Sequence, residues 1–127
     1  MNANEARINE VSNLVIGCAF TVANILGSGF LEKVYDNALA HEIRKRGLGV
    51  VQQGSVVVLY DGVSVGEYAT DLLVEDLVLV ELKAVKALDN IHQAQCLNYL
   101  KATGLHLCLL LNFGAPRLEI KRIVLGL

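Results

Sequence analysis

Asp71, Glu81 and Lys83 are the residues of this sequence best placed to do chemistry. Glu81 and Lys83 lie two positions apart inside "LVLVELKAV", Leu77 to Val85, a run of β-formers as apolar as any in the chain. A strand covered on both faces reads as nearly continuous hydrophobic residues. A charge buried in such a strand costs on the order of several kcal/mol unless it is paired or binds something. One reading makes this an edge strand, where Lys and Glu face water and guard against mispairing. The other makes it a site. If the preceding run "ATDLLVED" turns back around Asp76, Asp71 comes to lie opposite Glu81. Opposed residues share a face of the sheet with Cβ atoms about 4.5–5.5 Å apart, and Lys83, two residues on, shares it too. Two carboxylates so placed repel one another. A divalent cation removes the conflict, since Mg²⁺ is commonly held by one or two carboxylates plus waters and phosphate oxygens. An adjacent lysine can then stabilise phosphoryl charge or orient an attacking water.

Two helical segments bring further polar residues towards that face. At about 100° per residue, Glu32 falls between Leu39 and Ile43, beside the buried side of its helix, with Tyr35 about 60° away. In a later helix His92, Gln95 and Tyr99 lie within about 60° of one another. Singly, these are an interfacial Tyr, a core-edge amide and a solvated Glu. Together they would surround the carboxylate pair with another carboxylate, an amide and phenols.

The elements that must position these groups follow from periodicity. Residues 5–26 repeat at helical spacing (Ile8, Val11, Leu14, Val15, Cys18, Val22, Ile25) until "GSG" at 27–29 stops the helix. Ser28 is a candidate cap for a second helix over 30–46, which ends in "RKRG" with Gly47 as its stop. "SVVVLY" and "VSVGEY" flank Asp61-Gly62, a strong hairpin signal. A second hairpin turns near Glu75-Asp76. A helix over 88–103, with Asp89 as cap, precedes the buried run "LHLCLLLNFG" and the alternating "LEIKRIVL". The order ααβββ(β)αββ predicts an α/β (α+β) domain, a mixed sheet covered by helices.

Composition narrows the function classes. A length of 127 residues predicts a single domain over 1–127. Hydrophobic residues make up 54%, which excludes a disordered chain. A net charge of -2 gives no global sign of nucleic-acid binding, so any such binding needs a local basic patch. Cys18, Cys96 and Cys108 form no CxxC and read as reduced core thiols. The polar start "MNANEARINE" is unlike a signal peptide, and "LVIGCAF" falls short of the ~20 residues of a membrane span. The expectation is a cytoplasmic protein without membrane association.

The same residues carry a resemblance. "GFLEKVY", Gly29 to Tyr35, fits the pattern GxxExxY, and similarity continues through "ATDLLVEDLVLVELKAV", "HQAQCLNYLKATG" and "LLLNFG" to "IKRIV". From about residue 8 onward the chain resembles the GxxExxY family of small bacterial proteins. That family is similar to a minimal PD-(D/E)XK nuclease of the lambda-exonuclease-like and RecB-like branch, with a restriction-endonuclease-like αβββαβ core. The resemblance implies Asp71 and Glu81 as acidic metal ligands, with the Leu82 carbonyl, and Lys83 as the lysine of the ExK element. It implies Glu32 as a helical glutamate beside the metal, and Gln95 and Tyr99 as a QxxxY element that positions nucleic acid. Thr70 stands where proline is usual before the first acid. Mg²⁺ or Mn²⁺ would be the cofactor and DNA or RNA the substrate, with Tyr35 near the substrate. Among the basic residues, Lys86 and Lys101 lie nearest the site in sequence and are the expected phosphate contacts. Arg44 to Arg46 read as a solvated helix end that complements the helix dipole. Rival readings are a non-catalytic module on the same fold that binds nucleic acid or protein, and an oligomeric structural or regulatory protein. For a homodimer, "LHLCLLLNFG" or the first helix could supply the interface.

Overall fold

Helix α1, Ala3–Leu26, opens the fold in the computed structural model, which describes residues 2–127. Asn2 caps it by accepting the Glu5 N–H at 2.8 Å. Its stripe of Ile8, Val11, Val15, Cys18, Ala19 and Val22 is buried in the core, as spacing of three and four residues requires. With 24 residues, α1 is long and apolar enough by length and composition to cross a membrane, more so than its sequence suggested. Here that apolar stripe packs within the domain.

Helix α2, Glu32–Lys45, follows Gly27, whose left-handed φ of 67° ends α1. Ser28 does not cap it: the N-cap position is Leu31, without a side-chain hydrogen bond. Beyond Gly47 come β1 (Val50–Tyr60), β2 (Val63–Val74) and β3 (Val78–Lys83). Helix α3, Asn90–Thr103, then leads to β4 (Leu107–Asn112) and β5 (Glu119–Val124). The expected mixed sheet is present, with strands in the order β1-β2-β3-β4-β5. β3 and β4 are parallel, joined through α3, and the other neighbours are antiparallel. The optional extra strand does not exist: "VSVGEY" and "ATDLLV" are one strand of 12 residues, and β1 begins at Val50 rather than Ser55.

Side-chain alternation divides the core between the two faces of this sheet. Leu72, Val74, Val78, Val80 and Leu82 pack with α1 and α2. Leu79, Cys108 and Leu110 pack with Cys96, Tyr99 and Leu100 of α3. β3 is thus a central strand, covered on both sides, and the edge reading of Glu81 and Lys83 fails. β4 is buried at every position between β3 and β5, so it cannot offer the subunit interface expected of it.

Candidate active site

The ladder between β2 and β3 runs through Val74↔Val78, Leu73↔Leu79 and Leu72↔Val80 and is not continued beyond. The next step of that register sets Asp71 across from Glu81, as the sequence predicts. There side chains take over the backbone's partners. Asp71 Oδ2 accepts the Leu82 N–H at 2.8 Å, and Glu81 Oε1 accepts the Asp71 N–H at 3.3 Å. Local alternation places Asp71, Glu81 and Lys83 on the face towards α3, with Leu73 and Leu79.

Glu81 is only 4% exposed. Burial pushes its carboxyl up to about 9, and the charge and hydrogen bonding of Asp71 push the same way against the help of one backbone N–H. Such a group lacks a compensating positive charge. Lys83 lies alongside, its Nζ donating to Gln95 Oε1 at 3.4 Å across to α3. Glu32, in the first turn of α2, is close enough to feel both Asp71 and Lys83. Desolvation and the Asp71 charge raise its carboxyl above the usual range, while Lys83 opposes them. Tyr99 is nearly buried, and its phenol is pushed up to about 12 by burial and then by the Glu81 and Asp71 charges. Asp71, Glu81, Lys83, Gln95 and Tyr99 therefore converge where β2 and β3 part. Glu32 is exposed on the first turn of α2 rather than set against its buried face, and reaches them only through its charge. The Cys96 and Cys108 thiols, on α3 and β4, are buried beside Tyr99.

The donor set suits a hard divalent cation. It consists of carboxylate oxygens on a dehydrated, mutually repelling pair, beside a third acid from another element. Among the described residues no group of three or more His, Cys, Asp or Glu side chains forms a ready-made metal cage.

Other expected residues are placed differently. Tyr35 is 1% exposed and presents no face to a substrate. Its hydroxyl donates to Gly27 O at 2.6 Å and accepts the Phe30 N–H at 3.1 Å, and its ring stacks on Phe113 at 4.8 Å. Tyr35 clamps the α1–α2 connection and so fixes where α2, and with it Glu32, begins. His92 completes the α3 capping box, its Nδ1 accepting the Asp89 N–H at 3.2 Å. Lys101 lines a cleft with Gln95 and Tyr99, and Lys86 is exposed on the segment after β3. Arg44 donates to Val50 O and Gln52 and Lys45 pairs with Glu42, leaving this basic run a solvated helix end.

Sequence reasoning missed two supports. Buried Asn112 stands beside Lys83 in the parallel register. Its amide holds the chain leaving β3, accepting from Val85 N and donating to Val85 O at 3.0 and 2.9 Å. Gly114 passes so close to Ala84 and Val85 that any Cβ would collide with their backbone. The only signal was an amide and a glycine closing an apolar run. The second support is buried Asp36, which accepts from Lys33 at 3.2 Å, Gln52 at 3.0 Å and Gln53 at 3.5 Å. It also acts on Glu32.

A mixed sheet with helices on both faces makes a restriction-endonuclease-like fold, here with an acid on β2 and a Glu-x-Lys on the next strand. The sequence profile of the PD-(D/E)XK nuclease superfamily matches residues 9–123, and the chain belongs to that superfamily. Among solved structures, that of an alkaline exonuclease (LHK-Exo) from Laribacter hongkongensis is similar at TM-score 0.54 and 17% identity. The match covers 98% of this chain and 72% of that one. The structure of SSO0001 is similar at TM-score 0.56 and 15% identity, over 98% of this chain and 62% of that one. This chain thus spans less than two thirds of the length of SSO0001. At these identities the likeness is one of fold. No curated protein matches in sequence.

Proposed function

We propose that this protein is a divalent-metal-dependent phosphodiesterase of DNA or RNA, a member of the GxxExxY branch, with Mg²⁺ or Mn²⁺ as its ion. The observation that carries the reading is Asp71 set against a buried, cation-starved Glu81 on a central strand, with Lys83 beside them. When bound, such an ion supplies Lewis acidity and neutralises charge at the phosphoryl group. Asp71, Glu81 and the Leu82 carbonyl would hold it, with Glu32 of α2 as a further oxygen donor. Lys83, steadied by Gln95, brings positive charge to the phosphoryl oxygens or orients the attacking water, a role worth about 10²–10⁴-fold if it includes proton transfer. Gln95 and Tyr99 orient the strand, while Lys86 and Lys101 contact phosphates. Tyr35 serves indirectly, by setting the start of α2.

The test is cleavage of end-labelled single- and double-stranded DNA and RNA in Mg²⁺ and in Mn²⁺, with Lys83→Ala purified in parallel. Cleavage by the parent that chelator and Lys83→Ala both abolish is the expected result. Equal cleavage by both proteins marks a contaminant. A parent that neither cuts nor binds the ion is a non-catalytic module, and the reading falls.

A further inference from the structure

Beyond Asp71, the β1–β2 hairpin leaves the sheet. β2 pairs with β3 only over Leu72–Val74, whereas its pairing with β1 extends to Tyr60↔Val63. Residues 55–68 therefore form a two-stranded ribbon beyond the β3 ladder, resting on α3 through buried Val56 and the Tyr68–Tyr99 ring pair, and a cleft of about 770 Å³ lies between ribbon and helix. The ribbon wall includes Val57, Leu59 and Tyr68, and the helix wall Ile91, Asn98 and Lys101. Gln95 and Tyr99 also line it, so an occupant of the cleft reaches the site at once: Gln95 holds Lys83, and Tyr99 feels both carboxylates.

We infer that this cleft takes unpaired nucleotides, and that the substrate is single-stranded nucleic acid whose bases stack on Tyr68. This deepens the nuclease reading above and rests on it for the role of the adjoining carboxylates. Three features favour a single strand over a duplex. Duplex affinity comes largely from rows of Lys and Arg along the phosphates, and among the described residues Lys101 is the sole cation lining this cleft. Single strands add to their phosphate contacts stacking on aromatic faces, which every base can use. The two tyrosines also divide the work. Their ring centroids are 5.8 Å apart at an interplanar angle of 57°, too close to admit a base between them. Tyr99 is 6% exposed and closes the floor, while Tyr68 is 52% exposed and keeps a free face. Asn98 and Gln95 supply amides for base edges and Lys101 a charge for one phosphate. Tyr68 thus adds an exposed aromatic face on β2, three residues before Asp71.

The experiment measures binding by fluorescence anisotropy in Mg²⁺, on the Lys83→Ala background so that the strand survives. Labelled oligothymidylate, the same backbone without bases, and a hairpin duplex of equal length are compared. Adding Tyr68→Ala is expected to weaken oligothymidylate binding by roughly tenfold, with Tyr68→Phe retaining it. The abasic strand should bind the Tyr68 protein about as poorly as oligothymidylate binds the alanine variant, and the duplex more weakly than oligothymidylate. Circular dichroism of each variant confirms folding, and the abasic strand tests stacking with no change to the protein. Equal affinity for abasic and base-bearing strands, tighter binding of duplex, or indifference to Tyr68→Ala overturns the inference. A dimer that Leu59→Ser converts to monomer without altering strand binding overturns it too, because the ribbon is then a subunit interface. The two readings fail separately. Tyr68-dependent binding without cleavage by the parent removes the nuclease, whereas cleavage with Tyr68-independent binding removes only the cleft.

Discussion

The β2–β3 hairpin carries acidic residues at both ends, and Glu75 at the turn and Glu81 at the open end are treated in opposite ways. At the turn, Glu75 is given donors: Arg7 at 2.8 Å and the Gly49 N–H at 2.7 Å. The backbone hydrogen bond first, and Arg7 second, hold its carboxyl below the usual range. At the open end, Glu81 receives one long backbone bond and a second acid, and burial drives it up to about 9. Glu75 ties α1, the α2–β1 connection and the turn together, so its charge serves the fold. Glu81 is dehydrated without compensation, so its charge is available only to something that arrives. The strand pair is thus locked at one end and uncompensated at the other, and strongly perturbed carboxyls cluster at functional sites.

Replacing the acids should separate those roles most sharply. On the proposed metal-dependent reading, Asp71→Asn and Glu81→Gln would each remove a ligand to the ion, worth several kcal/mol of transition-state stabilisation. Cleavage should fall on the order of 10³-fold in end-label assays. Stability should hold or rise in both, because the repulsion goes as well. A loss of folding equal to the loss of cleavage would make Glu81 structural and erase the contrast with Glu75.

The next effect is in pH. A carboxyl raised in the folded state binds more protons folded than unfolded between its two values. Its stabilisation is full below the ordinary 4.5 and is lost as pH climbs towards about 9. In chelator, urea unfolding should weaken over that window by up to about 1.4 kcal/mol per pH unit. Mn²⁺ should offset the loss, raising Tm more at pH 8 than at pH 5.5, and Glu81→Gln should flatten the profile. Glu75 runs the other way. Its lowered value means stabilisation present above the ordinary carboxyl range and lost as acid protonates it. Glu75→Gln should therefore lose stability at neutral pH and leave cleavage untouched, as paired assays would show.

The sequence made the working end easier to read than its supports. Alternation in "LVLVELKAV" and the turn at Glu75-Asp76 fixed the facing of Asp71 and Glu81, because a one-residue slip would turn every core side chain outward. Glu75 and Asp76 adopt φ of 53° and 55°, the left-handed pair that a tight hairpin needs. The ribbon was divided wrongly because Ala69 and Thr70 interrupt the apolar signal, although backbone pairing continues through both. Tyr35 was placed on the correct side of its helix, yet its partners are irregular backbone at Gly27 and Phe30, which no periodicity reports. Asp36 gave no signal, since a lone charge is expected outside and its burial depends on amides contributed by β1.

The smallest effect tests whether strain belongs to the working end. Gln53 stands across from Asp71, between the pairs Gln52↔Leu72 and Gly54↔Thr70. Its φ of 57° is left-handed in mid-strand, a conformation that costs a residue with a Cβ about 1–2 kcal/mol. Its amide reaches Asp36 at 3.5 Å, and Asp36 in turn acts on Glu32. Gln53→Gly relieves the backbone and deletes the amide, whereas Gln53→Ala deletes only the amide. Net of glycine's own entropy, the first should gain about 0.5–1 kcal/mol in urea unfolding and the second should not. Cleavage should slow in both by less than about tenfold, through a displaced Glu32. A stabilised glycine variant with undiminished cleavage would assign the strain to the fold alone. The open end of the hairpin would then be distinguished by its carboxylates and not by its backbone.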